Sequence, residues 1–369
     1  MLSQEELHRY AKQLKLPEWN VREQTILAQS TLLVVGAGGL ASGALPYLAA
    51  VGIGKMILID SDRIDVSNLG RQVLYATQEV GASKVRTAQQ KLTSLNPNCQ
   101  IEIVEDSLNA SNADEFIAAV DLVIDCTDNF TTRYLINDTC VRYDKPFVYA
   151  AIHSWEGLIS VCNGTVFGEE RKGPTYRCFF PEEPGLDEIP TCDEAGVLGF
   201  LPGMMGIMQA KEAIYYLVGW ASPANGALGR FDVNEMSMRF FKMNRRANAN
   251  TIPINKEDTS WEIVHDLDPE EAFEKYAAGE IDYLLDVREP EEWELASLKN
   301  SIQISMGQVL QQAKNLPKDK IGLVLCHHGM RSAFVIKQLQ KIGFKQLFNL
   351  KGGIDAWSIH VDENIPRYF

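Results

Sequence analysis

The run Cys326-His327-His328-Gly329-Met330-Arg331-Ser332 puts a thiol at the end of the apolar stretch IGLVLC, residues 321–326. That pattern predicts a buried strand, a tight loop and then a helix. Successive backbone N–H groups and a helix N-terminus stabilise negative charge on sulfur and lower a thiol's pKa. The loop holds one residue fewer between cysteine and arginine than the phosphatase signature, so its cradle suits a sulfur atom better than a phosphate. A second thiol, Cys192, stands in Pro190-Thr191-Cys192-Asp193-Glu194-Ala195-Gly196, behind the stretch PEEPGLDEIP at 181–190. Long loops of this composition are usually functional or disordered, and a thiol behind one suits a nucleophile that must travel. The competing reading is a small buried apolar residue, the common fate of a free cysteine. Cys99, Cys126, Cys140 and Cys162 are read that way.

A different chemistry is written near the N-terminus. Gly36-Ala37-Gly38-Gly39-Leu40-Ala41 matches GxGxxA between an apolar run, TLLVVG, and a helical stretch. Such glycines let backbone approach a phosphate at a helix N-terminus. Asp60 closes the next apolar run, where an acid can hold a ribose hydroxyl. Ser67-Asn68-Leu69-Gly70-Arg71-Gln72 follows, then Lys84. Cations in this order suit an enzyme that builds charge on phosphate oxygens. Asp128-Asn129 ends a further apolar run, and an acid there is a natural magnesium ligand. Each residue also admits a structural reading. Arg71 and Lys84 could be surface ion pairs, and Asp128 a helix cap. A P-loop is excluded, because Gly54-Lys55 lacks its partner glycine and a following Ser/Thr.

These residues need strands and helices to hold them. The apolar runs at 31–36, 55–60, 101–106, 121–129, 146–152 and 157–162 predict strands; 40–51 and 84–95 predict helices. The alternation predicts a Rossmann-like, doubly wound mixed α/β sheet with its site at the strands' carboxyl ends. A helix near 205–218 and strands near 228–243 complete it. The polar stretch 245–260 predicts a linker. Beyond it, YLLDVR at 283–288 and IGLVLC at 321–326 begin a smaller α/β pattern. The expected domains are therefore 1–244 and 261–369.

Composition agrees with a globular enzyme. The 369 residues carry 49 acids against 35 bases, a formal charge of −14. That gives no global field for nucleic acid or anionic lipid. Seven cysteines at wide spacings, without a CxxC, predict reduced thiols and a cytoplasmic location. The amphipathic start MLSQEELHRYAKQL reads as a helix capped by Ser3 and Glu6 rather than a signal peptide. The apolar run near Ala44–Gly54 is too short for a bilayer.

Taken in order, RYxxQ at 9–13, GAGGLAS, IDSDRIDVSNLGRQ, KV at 84–85, LNP at 95–97, DCTDNFTTRYLIND, EGLISV, YRCxFPEEP and PTCDEAGVLGFLPG resemble the MoeB/ThiF family, over roughly residues 5–244. The resemblance implies ATP-dependent adenylation of the C-terminal Gly-Gly carboxylate of a small ubiquitin-like sulfur carrier. It implies that Gly36, Gly38, Gly39, Asp60, Ser67, Asn68, Leu69, Gly70, Arg71, Lys84, Asp128 and Asn129 hold ATP and Mg2+, with Asp60 on the ribose, Asn68, Arg71 and Lys84 on phosphates, and Asp128 on the metal. It also implies a homodimer, in which the N-terminal helix reaches the partner's ATP; Lys12 stands here where the family has arginine, losing the bidentate fork. Many members hold zinc on two CxxC pairs. Here the first pair reads Thr175-Tyr176-Arg177-Cys178 and 243–255 has no cysteine, so no zinc is expected, with apolar packing or a dimer contact in its place. Cys192, by its place in the motif, is implied to form a thioester or to resolve a disulfide.

Residues 262–369, with LLDVREPEEWE at 284–294 and NLKGGIDAW at 349–357, resemble a rhodanese domain. That implies a persulfide on Cys326, with Arg331 and the loop amides supporting the anion. A cysteine desulfurase or thiosulfate would donate the sulfur. The product would be a thiocarboxylated carrier for molybdopterin, thiamine or a related pathway. The alternative reading, from GxGxxA and Asp60 alone, is a nicotinamide-dependent oxidoreductase fused to a rhodanese module.

Overall fold

A computed structural model of the protein describes all residues except Met1, Glu170, Glu182, 184–195, 247–248, 250–263 and Phe369. Cys192 and most of the expected linker lie outside the described residues. The chain divides into two compact units, Met1–Pro253 and Ile254–Phe369.

The first unit is built on eight strands: β1 (Thr31–Val35), β2 (Lys55–Ile59), β3 (Gln100–Val104), β4 (Leu122–Asp125), β5 (Phe147–His153), β6 (Glu156–Cys162), β9 (Ala227–Asp232) and β10 (Ser237–Lys242). A two-stranded hairpin, β7 (Thr165–Val166) and β8 (Arg171–Lys172), stands apart. The sheet order is β10-β9-β6-β5-β4-β1-β2-β3, and β5 through β3 run parallel while β6, β9 and β10 extend the sheet antiparallel. The sheet is thus mixed, as expected. Side-chain alternation gives the sheet two buried faces. Leu32, Val34, Met56, Leu58 and Ile124 pack on one, and Leu33, Val35, Ile57, Ile59 and Val123 on the other. β1 pairs with both β2 and β4, with Val35 opposite Asp125. The chain order reverses there, which opens a crevice beyond the carboxyl ends of β1 and β4.

Several strands are shorter than their apolar runs. β4 stops at Asp125 rather than running to 129. Its carboxylate Oδ1 accepts the Thr127 backbone N–H at 3.0 Å and the Thr127 hydroxyl at 2.6 Å. This Asx turn takes the chain out of the ladder. The helix expected near 205 begins earlier, at Phe200. The capping box at Ser3 and Glu6 forms as expected.

The second unit is a parallel five-stranded sheet: β11 (His265–Leu267), β12 (Tyr283–Asp286), β13 (Ile302–Gln303), β14 (Gly322–Leu325) and β15 (Leu347–Leu350), in the order β11-β15-β14-β12-β13. Central β14 is buried on both faces, so Cys326 emerges from the middle of the sheet. Among the described residues, no helix is long and apolar enough to cross a membrane.

Candidate functional site

The first crevice starts where β1 ends. Gly36 has φ +91°, and a Cβ there would stand 2.7 Å from the Cys126 carbonyl oxygen. Only glycine lets these two strand ends approach so closely. The next residue is tied on both sides: Ala37 N donates to Asp60 Oδ2 at 2.6 Å, and the Tyr75 hydroxyl donates to the Ala37 carbonyl at 2.8 Å. Asp60 Oδ1 accepts the Asp62 N–H at 2.7 Å. Burial, then the neighbouring Asp62 charge, push the Asp60 carboxyl up, while Lys84 and the two amides pull it down. Gly38 precedes the helix Gly39–Val51 and has no side chain to cap it. The first N–H groups of that helix therefore face the crevice as donors for an anion.

The segment Ser67–Arg71 abuts this helix start. A Cβ on Gly39 would lie 3.3 Å from the Arg71 carbonyl oxygen. Asp65 Oδ1 accepts the Ser67 N–H and hydroxyl, at 2.8 and 2.6 Å, and shapes the turn Val66–Asn68. Arg71 NH1 donates to the Ser67 carbonyl at 3.2 Å. Leu69 packs against the core, and Gly70 is exposed. Lys84 begins the helix Lys84–Leu95; its buried Nζ bonds Asp62 Oδ2 at 2.8 Å. Asp128 is exposed beyond β4, and Asn129 Oδ1 caps the helix Phe130–Arg142 by accepting Thr132 N at 2.9 Å.

Two residues that sequence reasoning missed support Asp128. Arg133 is buried, with Nε 4.0 Å from Asp125 Oδ2, and its NH2 donates to the Thr127 carbonyl at 2.7 Å. Burial pushes the Asp125 carboxyl up, and the Arg133 charge opposes it. An acid closing a buried strand, with an arginine eight residues on, was the available signal.

Lys12 is not brought to this crevice in its own chain. Tyr10 packs on Gly52, at the far end of the Gly39–Val51 helix, and exposed Lys12 follows two residues later. A 13-residue helix is about 20 Å long. At Cys178, which is buried next to the packed Tyr176, hydrogen bonds also hold the corner. Its Sγ accepts Thr175 N and Arg246 N, both at 3.4 Å. Arg245 NH1 donates to Asn163 Oδ1 at 2.8 Å and to the Gly173 carbonyl at 3.0 Å. Among the described residues, no group of three or more His, Cys, Asp or Glu could hold a metal.

The second site lies beyond β14. Cys326 is buried, and its Sγ accepts Gly329 N at 3.1 Å and the Ser332 hydroxyl at 3.4 Å. The carbonyls of Cys326 and His327 turn the other way and accept Ile354 N and Asp355 N, at 2.9 and 3.2 Å. A Cβ on Gly353 would meet the His327 oxygen at 2.2 Å, so the loop rests directly on the start of the helix Gly353–His360. The Gly329 N–H thus points at sulfur while the loop's carbonyls point away, and the Ser332 hydroxyl also reaches Asn349 Oδ1 at 2.6 Å. The Arg331 guanidinium forks onto Glu292, with both bonds at 2.7 Å. Burial would raise the Glu292 carboxyl, but the Arg331 fork outweighs it and holds it down at about 2. Burial, then His328, push His327 down to about 4. His327 stacks between His328 and Tyr368, ring centroids 4.0 and 4.3 Å away. Sequence reasoning did not single out Glu292 or Tyr368.

The ThiF family matches residues 10–252, and the rhodanese-like domain matches 268–360. The chain is 37% identical over 366 residues to the probable molybdopterin-synthase adenylyltransferase of Porphyra purpurea, covering 96% of this chain and 94% of that protein. It is 34% identical over 397 residues to the adenylyltransferase and sulfurtransferase MOCS3 of Drosophila grimshawi, covering 100% and 87%. Among solved structures, E. coli MccB with MccA-N7isoASN superposes with a TM-score of 0.56 at 19% identity, over 66% of this chain and 73% of that one. At that identity the likeness speaks for the fold.

Proposed function

The chain belongs to the ThiF family and carries a rhodanese-like domain behind it, and from that membership we propose a two-stage reaction on a protein carboxylate. It is an adenylyltransferase and sulfurtransferase, like its relatives. Its substrate is the C-terminal Gly-Gly carboxylate of a small ubiquitin-like sulfur carrier. In the first stage that carboxylate attacks the α-phosphorus of ATP. Pyrophosphate leaves, and the carrier ends in an acyl-adenylate. Gly36, Gly38 and Gly39 let the phosphates approach the helix N-terminus, Asp60 takes the ribose, and Asn68, Arg71 and Lys84 face the phosphates. A single exposed carboxylate, Asp128, fits Mg2+, which keeps several waters and shares phosphate oxygens. When bound, Mg2+ would neutralise charge on those oxygens. A second copy of the chain would supply Lys12, making the enzyme a homodimer.

In the second stage Cys326 carries the transferred sulfur as a persulfide. Its terminal sulfur attacks the activated carbonyl and AMP leaves, giving an acyl disulfide. A thiol, Cys192 in this reading, attacks the Cys326 sulfur of that disulfide. The thiocarboxylate departs and a Cys192–Cys326 disulfide remains for an external dithiol to reduce. The sulfur donor is thiosulfate or the persulfide of a cysteine desulfurase. ATP and a carrier protein are cytoplasmic substrates, and the reading places the enzyme there. The oxidoreductase alternative finds no support among relatives that are adenylyltransferases.

The observation that carries this reading is the pairing on one chain of a glycine loop beside Asp128 and a donor-lined thiol at Cys326. The test is intact mass spectrometry of a Gly-Gly-ending carrier after incubation with the protein, ATP, Mg2+ and thiosulfate. A terminal oxygen replaced by sulfur is the expected result. Unchanged carriers, together with no ATP–pyrophosphate exchange across several of them, would overturn it.

A further inference from the structure

Residues 361–368 pack beside the sulfur loop, and the reaction above gives them no task. After the helix Gly353–His360 the chain turns back: Val361 N and Asp362 N both donate to the Trp357 carbonyl, at 2.9 and 3.1 Å. Ile365 and Tyr368 pack beside Leu325, Leu350 and Trp357. Arg367 forks onto Asp355, at 2.7 and 3.1 Å. Asp355 is the residue whose backbone N–H holds the His327 carbonyl. This segment is thereby tied to the loop that carries Cys326.

Tyr368 touches that loop's surroundings twice, in different ways. Its ring lies parallel to His327, at an interplanar angle of 6°. Its hydroxyl donates to Glu292 Oε1 at 3.0 Å and accepts a hydrogen bond from Arg288 NH1. Glu292 is the carboxylate that fixes Arg331, and Arg288 is itself locked to buried Asp286. The ring therefore restrains the residue after Cys326. The hydroxyl and Arg331 both donate to Glu292 Oε1, so the hydroxyl helps to fix the carboxylate that holds Arg331.

We propose that Tyr368 is a positioning residue for sulfur transfer. Its ring preorganises the Cys326–Gly329 donor cradle through His327, and its hydroxyl, bonded to the Glu292 oxygen that also takes Arg331, helps to orient that cation for an incoming sulfur anion. The proposal rests on the reading of Cys326 as the sulfur-carrying nucleophile. Preorganised donors lower the barrier of a step in which charge moves onto sulfur, so the ring governs turnover. The hydroxyl governs the encounter with the anionic donor.

The test uses the full-length protein with thiosulfate and cyanide. In that reaction the Cys326 thiolate attacks the outer sulfur of thiosulfate, the S–S bond breaks and sulfite leaves. Cyanide then attacks the persulfide's terminal sulfur, thiocyanate leaves and the thiolate is restored. Tyr368→Ala is expected to lower kcat about tenfold. Tyr368→Phe keeps the ring, so kcat returns to within twofold of wild type, while KM for thiosulfate stays raised by about threefold, the scale of one lost hydrogen bond. Wild-type values for both variants would overturn the proposal, as would a Phe variant no better than the Ala variant in kcat. If Tyr368→Ala fails to fold, KM of the Phe variant decides alone: a raised KM supports the role and an unchanged one overturns it. A wild-type protein that gains no persulfide on Cys326 from thiosulfate or from a cysteine desulfurase persulfide, or a Cys326→Ser variant as active as wild type, overturns the parent reading and the role with it.

Discussion

Arg133 donates from NH2 to the Thr127 carbonyl at 2.7 Å, across the turn that presents Asp128. The same guanidinium stands 4.0 Å from the Asp125 carboxylate, which holds the Thr127 N–H and hydroxyl. One buried ion pair thus fixes the peptide before Asp128 from both sides. Among the described residues, Asp125 Oδ2 takes no hydrogen bond, so the Arg133 charge is its main compensation. Breaking a buried pair by removing one partner costs about 3–5 kcal/mol. Arg133→Ala is therefore expected to lower Tm and to reduce ATP–pyrophosphate exchange, while Arg133→Lys restores stability better than exchange. A thermal melt and an exchange assay on the two variants check this. Wild-type exchange in Arg133→Ala would sink the positioning role.

The division of labour between the two units gives a second expectation. Asp128→Ala should abolish pyrophosphate exchange with little change in Tm, because the side chain is exposed. Cys326→Ala should leave exchange intact and stop formation of the thiocarboxylate. Mass spectrometry of the carrier separates the two, since the Cys326 variant accumulates adenylated carrier. Loss of exchange in Cys326→Ala would mean that the units do not divide the reaction in this way.

Gly36 carries a third. A methyl group there meets the Cys126 carbonyl at 2.7 Å in a backbone with φ +91°. Strain at such a position costs about 1–3 kcal/mol, and the contact adds to it. Gly36→Ala should lower stability by at least that much and weaken ATP binding, because the strand ends must part. Denaturant unfolding and ATP titration on the same preparation measure both.

Much of this arrangement was legible in the sequence. TLLVV and KMILI read as strands buried on both faces, and GxGxxA marked where the helix Gly39–Val51 begins. The boundary of β4 was not legible, because Asp125 belongs to an apolar run yet uses its carboxylate to end the strand. The pairings were harder still. Lys84 meets Asp62, 22 residues away, rather than open solvent. Glu292 meets Arg331 across 39 residues and Tyr368 across 76. Local spacing encodes turns, caps and faces; it carries no record of which distant charge will be opposite. The Cys178 corner shows the same limit, since Asn163, Gly173 and Arg245 converge only once the sheet has formed.

The groups around Cys326 predict how the second unit responds to acid. His327 is held neutral, its pKa pushed from 6.5 down to about 4. The unfolded chain therefore binds a proton that the folded chain refuses, and stability falls as pH drops from 6.5 towards 4. Glu292 acts over a lower window. Its carboxylate is held at about 2 against an ordinary 4.5, so the pair with Arg331 is intact above 4.5 and is lost as pH falls towards 2. Each shift corresponds to about 3 kcal/mol at most. Calorimetry of the full-length protein should show a transition whose Tm declines in two successive stages on acidification. In His327→Phe, which keeps a ring for Tyr368 to stack on, the upper stage should disappear while the lower one stays. Glu292→Gln should remove the lower stage and leave the upper. An upper stage that survives in His327→Phe would assign that titration to another group.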